Sequence, residues 1–207
     1  MLTQIELFPT LEIGWLNGWI LLVVLYLAYG LLLLIFPREA VHRLYKYSRS
    51  SWSRRHRAFY AVERVLLVVY LIIVVFSPLK IGSYVFTLGL VLFSFGLTGF
   101  IIALFNFKNT PLDQPVTRGL YRVSRHPQIV MLFIAGSGIG IALGSLFAVF
   151  LQIVASCFGS SRILMEEKAC LEQYGNSYRI YMERVPKYAL IKTRMREENR
   201  REMAEEE

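Results

Sequence analysis

The sequence predicts an all-α integral membrane protein with five transmembrane helices, the last two forming a hairpin, followed by a helical C-terminal segment on the cytoplasmic side. Three observations carry this. The chain is 55% hydrophobic with a mean hydropathy of +0.46. Its apolar residues come in blocks, with charges confined between them, instead of recurring at the helical or strand period of a soluble domain. The basic residues also collect on alternate connections. Within hydrocarbon every backbone polar group has to be satisfied inside its own segment, so the blocks read as helices.

The first span is expected at about Trp15–Phe36, within the uncharged stretch that separates Glu12 from Arg38. Glu6 and Glu12 stand where a cleavable leader would carry a basic region, so this block reads as a retained span. A basic loop follows, with Arg38, Arg43, Lys46, Arg49, Arg54, Arg55 and Arg57. The second span is expected from about Phe59 to Leu79, ending around Ser77-Pro78. The third, Ile81–Phe107, is uncharged and carries Gly89, Gly96 and Gly99, which predict a face for close helix packing.

No charge occurs from Pro127 to Ser161, a run too long for one ordinary span. Gly144-Ser145 near its middle predicts a tight turn between spans at about Gln128–Leu143 and Leu146–Leu164. Five spans put the Arg38–Arg57 loop, the Lys108–Arg125 loop and the basic tail on one side, leaving Lys80 on the other. By the positive-inside rule the N-terminus is then outside and the C-terminus cytoplasmic. The whole of residues 1–191 reads as one membrane-embedded domain. Residues 192–207, with six glutamates among Lys and Arg, read as a solvated charged tail.

Several function classes drop out. The net charge of +8 suggests nucleic acid, but the cations sit beside apolar blocks, where orientation and anionic lipid headgroups explain them. His42, His56 and His126 form no ligand-spaced cluster, so no metal site is expected. Cys157 and Cys170 make no CxxC and read as a packing thiol and an incidental one. Gly136-Ser-Gly138-Ile-Gly140 looks like a nucleotide loop but lacks the strand before it. Gly136, Gly140 and Gly144 fall instead at i, i+4 spacing, as a packing face does.

Three clusters remain. Gly119-Leu-Tyr121-Arg122-Val-Ser-Arg125-His126-Pro127 precedes the hairpin; taken alone it also fits an ordinary helix start with Pro in the first turn and interfacial arginines. Glu166-Glu167 follows the return span, where a helix C-terminus disfavours carboxylates; Arg162 could relieve Glu166 from one turn away. Tyr174, Tyr178 and Tyr181, spaced by four and three, are expected on one helical face, either as interfacial aromatics or as π faces for a cation. The hairpin returns the acidic pair to the membrane face from which Arg125-His126-Pro127 departs.

In this order the clusters, from Pro115 to Tyr188, resemble the membrane methyltransferases typified by isoprenylcysteine carboxyl methyltransferase and the phospholipid N-methyltransferases. The resemblance implies S-adenosylmethionine bound at the cytoplasmic mouth and a lipophilic acceptor entering from the bilayer. It implies that Gly119, Tyr121, Arg125, His126 and Pro127 form the cofactor pocket, completed by Glu166 and Glu167. Arg184 is implied to hold the acceptor headgroup, and His126 is the histidine at hand for an acceptor that needs deprotonation. One departure stands out: Ile129 occupies the position where the family has Tyr. With no second base in view, a pre-ionised acceptor, isoprenylcysteine-carboxylate-like, is favoured. The alternatives are a phospholipid amine N-methyltransferase, a small-thiol S-methyltransferase, a membrane sterol reductase, and a non-catalytic membrane protein of the same fold.

Overall fold

Three serines set where the long helices begin. In the computed structural model, which describes residues 5–45 and 53–189, Ser53, Ser83 and Ser145 each accept a hydrogen bond from the backbone N–H three residues on. Each thereby satisfies one of the orphan donors of a first helical turn. The described residues form seven α-helices: α1 (Trp19–Ile35), α2 (Arg38–Tyr45), α3 (Arg54–Phe76), α4 (Tyr84–Lys108), α5 (Pro127–Ala142), α6 (Leu146–Tyr174) and α7 (Asn176–Arg184), with a 3₁₀ turn at Gly119–Arg122. There is no named strand among them, only two isolated bridges.

α3, α4 and α6 are long and apolar enough to cross a membrane, whereas α1 and α5 are shorter apolar helices. At 1.5 Å per residue, α5 reaches about 24 Å against a hydrocarbon core of about 30 Å. The chain is an integral membrane protein. Val65, Ile72, Val91, Phe95, Phe150 and Ile153 stand exposed along the long helices, as side chains facing lipid do.

The glycines divide between two packing faces. Gly89, Gly96 and Gly99 of α4 lie against α5: a Cβ on Gly89 would come 2.6 Å from the Gly138 carbonyl oxygen, and one on Gly96 would come 2.7 Å from that of Met131. Gly138 reciprocates against Phe93 of α4, while Gly136 and Gly140 lie under Gln152 and Val149 of α6. So α5 is wedged between α4 and α6. The expected Gly136/Gly140/Gly144 stripe is two-thirds right, because Gly144 is the turn itself, with φ of 67°. Tyr70 adds a buried hydrogen bond from α3 to the Gly136 carbonyl, 2.7 Å.

The boundaries depart from expectation where local chemistry overrides hydropathy. The first helix starts at Trp19, not Trp15, because Leu16 and Gly18 pair with residues 77 and 79 through backbone hydrogen bonds. α3 ends at Phe76, before Pro78, and α4 waits for its Ser83 cap. The basic loop contains α2; its residues 46–52, and the tail 192–207, lie outside the described residues. The largest correction concerns α6, which continues ten residues beyond Leu164 to Tyr174. The apolar run ends there; the helix does not. Glu166 and Glu167 are therefore inside a helix and not at its C-terminus.

A cavity at one end of the bundle

Gly175, with φ of 54°, breaks the chain between α6 and α7, and that break shapes the site. The three tyrosines consequently do not share one straight helix. Tyr174 closes α6, while Tyr178 and Tyr181 are buried on α7, which folds back towards the segment before α5. Tyr181 donates to the Tyr121 carbonyl, 2.7 Å. Arg125 N–H donates to the Pro186 carbonyl, 3.0 Å, and Ser124 Oγ to that of Lys187, 3.1 Å. The C-terminal segment is thus stitched onto the Tyr121–His126 segment.

At the centre of this stitching lies Glu167, 5% exposed. His126 Nε2 is 3.1 Å from its Oε1, within hydrogen-bonding distance, and Arg125 Nε is also 3.1 Å from that oxygen, as an ion pair without hydrogen-bond alignment. Lys187 Nζ approaches Oε2 at 3.8 Å. Burial by itself pushes the Glu167 carboxyl up, but the His126 hydrogen bond and the charges of Arg125 and Lys187 hold it below the usual carboxylate value. Burial pushes the Lys187 ammonium down, against the pull of Glu167. A buried carboxylate compensated from three sides persists because each remaining charge would be costly if left alone.

In front of this knot is a cavity of about 570 Å³, within the range of small-molecule and cofactor sites. Tyr121, Arg125, His126 and Glu166 line it, as do Tyr174, Tyr178 and Tyr181. The two adjacent glutamates therefore have opposite fates: Glu166 is exposed and faces the cavity, Glu167 is buried behind it. Of the other residues expected at the site, Pro127 is buried at the first turn of α5, and Gly119 is exposed in the 3₁₀ turn against the Asn106 side chain. Arg184 is exposed at the end of α7 and lines no part of the cavity. Ile129 is on the wall.

Sequence reasoning missed several contributors. Arg43 of α2 donates to the carbonyls of Thr110, Pro111 and Gln114 and to the Tyr174 hydroxyl, at 2.6–3.1 Å, and stacks 5.0 Å from the Phe107 ring centroid. Nothing set it apart from the other cations of its loop. Lys187 likewise carried no signal beyond following Val-Pro. Cys170, read as incidental, lines the cavity, and burial together with Glu166 pushes its thiol up to about 12. Among the described residues no group of three His, Cys, Asp or Glu side chains is arranged to hold a metal.

The donor set suits a ligand with cationic and polar groups. A free carboxylate, Glu166, complements an ammonium or sulfonium centre, and tyrosine faces favour cations. Compared with known proteins, residues 74–177 match the family model described as phospholipid methyltransferase, half of the chain. No curated protein and no solved structure matches the chain.

Proposed function

The chain belongs to the phospholipid methyltransferase family, a family of membrane methyltransferases whose general methyl donor is S-adenosylmethionine, and from that premise we propose that it methylates a lipophilic acceptor in the cavity at the cytoplasmic membrane face. The observation that carries this reading is the cavity itself. It lies where the Tyr121–His126 segment and the far limb of the hairpin meet, and it is large enough for a cofactor beside an acceptor head.

In this reading Glu166 and the rings of Tyr178 and Tyr181 hold the cationic part of S-adenosylmethionine, with Tyr121, Arg125 and His126 forming the opposite wall. Bound there, the cofactor supplies an electrophilic methyl on a sulfonium that departs as a neutral thioether, so no protein acid is required. The protein's contribution is alignment and field. Glu167 acts behind the wall: it fixes the imidazole of His126 and the guanidinium of Arg125 and so positions both. Gly119 and Pro127 shape the entry to α5, and Arg184 would meet a headgroup only outside the cavity.

The five-span topology, with α1 and α5 crossing as short helices and the C-terminus cytoplasmic, belongs to the same reading. It places the cavity among the basic segments, as the positive-inside rule requires. The acceptor is an isoprenylcysteine-like carboxylate. His126 Nε2 is already engaged by Glu167, and the nearby cations Arg38 and Arg162 suit an anion. The second reading, a phospholipid amine, is favoured by the description of the matching family.

The test is calorimetric titration with S-adenosylhomocysteine in nanodiscs, followed by transfer of a labelled methyl group to prenylcysteine or phosphatidylethanolamine. Saturable binding that weakens at least about tenfold in Glu166→Ala is expected, the loss of one charge-assisted contact. No binding by folded wild type would sink the assignment. Binding without turnover that Ile129→Tyr restores would mark a non-catalytic member.

A further inference from the structure

Among the cations that line the cavity, most are already spoken for. Arg43 is saturated by three carbonyls and a tyrosine hydroxyl, and Arg125 is committed to Glu167. Arg38 and His42 are exposed on α2. Arg162 differs. It projects from α6 into the cavity wall, and its Nε is buried with no hydrogen-bond partner.

Two carboxylates flank it along the bundle, and neither takes it. Glu166 is one turn nearer the mouth, and no ion pair joins the two, contrary to the sequence expectation that Arg162 relieves Glu166. Glu63 of α3 lies one turn deeper, where its carboxylate covers Gly159 and one of its oxygens is likewise buried without a hydrogen bond. Arg162 as a whole is half-buried, and the atom left buried without a hydrogen bond is its Nε. Burying the Nε–H unpaired is costly, so the site lacks an acceptor that a ligand can bring.

Its depth says which ligand. The residues of α6 that line the cavity are Arg162, Glu166, Ala169, Cys170, Gln173 and Tyr174. Of these, Arg162 is the one adjoining the apolar stretch, about 6 Å along the axis from Glu166 at 1.5 Å per residue. A molecule entering from the bilayer meets it first. We propose that Arg162 is the anion anchor of the acceptor, its guanidinium receiving an oxyanion of the lipid, a carboxylate or a phosphate. The planar fork of arginine matches either group in a two-bond geometry. The proposal deepens the methyltransferase reading by naming the chemistry of its acceptor, but it concerns lipid binding and can be tested apart from the cofactor.

The test uses the full chain in detergent and native mass spectrometry over a titration of two matched pairs. N-acetyl-farnesylcysteine is compared with its methyl ester, and dioleoyl phosphatidic acid with diolein; within each pair the essential difference is the anion. Wild type should prefer the charged member of one pair by at least about tenfold, as expected for a charge-assisted contact. Which pair responds tells carboxylate from phosphate. Arg162→Met should abolish the preference, Arg162→Lys should keep part of it, and S-adenosylhomocysteine affinity should stay within about twofold. An equal response to charged and neutral members in wild type overturns the proposal, and so does a preference that survives Arg162→Met. If Arg162→Met does not fold, the wild-type contrast and Arg162→Lys still decide. If wild type binds no S-adenosylhomocysteine yet shows an anion preference that depends on Arg162, the anchor stands and the methyltransferase reading falls.

Discussion

The two ends of this bundle are closed by different means. At one end the N-terminal segment seals the helix hairpins with backbone hydrogen bonds. Glu6 N–H donates to the Gly144 carbonyl at 2.8 Å, Leu146 N–H to the Glu6 carbonyl at 3.0 Å, and Leu79 N–H to the Leu16 carbonyl at 2.9 Å. Asn17, fully buried, adds its side-chain amide to the Glu12 and Val75 carbonyls. The charges at that end, Lys80 and Glu6, meet at 2.7 Å but remain partly in water. At the other end one backbone bond, from Arg125 N–H to the Pro186 carbonyl, is joined by side chains converging on Glu167 and Arg43. Backbone pairing brings chains into contact along their length and leaves a groove beside Trp15 and Lys80, whereas side chains of unequal length hold the segments around Glu166 apart. The larger cavity, the one lined by Glu166, His126 and the tyrosines, lies at the second end.

The comparison breaks most severely at Glu167. Glu167→Ala leaves the charges of Arg125 and Lys187 buried without a counterion and should cost about 3–5 kcal/mol, read as loss of thermal stability in detergent. It should disorganise the cavity wall as well, whereas Glu166→Ala should leave stability nearly unchanged and weaken only ligand binding. Next in size is the interface that holds the two ends together. Gly89→Ala forces a methyl group against the α5 backbone and should destabilise by about 1–3 kcal/mol, by the same melting assay.

Because the folded Glu167 carboxyl is held below its ordinary value of 4.5, its contribution is fully present above that value and is lost as pH falls through the folded pKa. Melting temperature should therefore drop below about pH 4.5 in wild type, and the drop should be shallower in Glu167→Gln. The smallest effect is expected at the sealed end. Lys80→Met removes a partly hydrated ion pair and should cost less than about 1 kcal/mol; a loss comparable to that of Glu167→Ala would show that the sealed end also depends on charge.

The sequence, read alone, determined the membrane character, the helical class, the hairpin turn at Gly144-Ser145 and the clustering of Tyr121, Arg125, His126 and Glu166 around one site. These follow from local or one-dimensional signals: blocks of hydropathy, a turn dipeptide, and the order of residues along a hairpin, which returns its two limbs to the same end of the bundle. Only the tertiary structure decided which glutamate faces the cavity. Adjacent residues on a helix point about 100° apart, and hydropathy does not say how far α6 continues beyond the apolar run. It also decided that Lys187 completes the charge knot, that Arg43 ties α2 to the end of α6, and that the Arg162 Nε is buried without a hydrogen bond. Each depends on segments distant in sequence meeting in space, where a cation's role is set by the acceptors around it and not by its own identity.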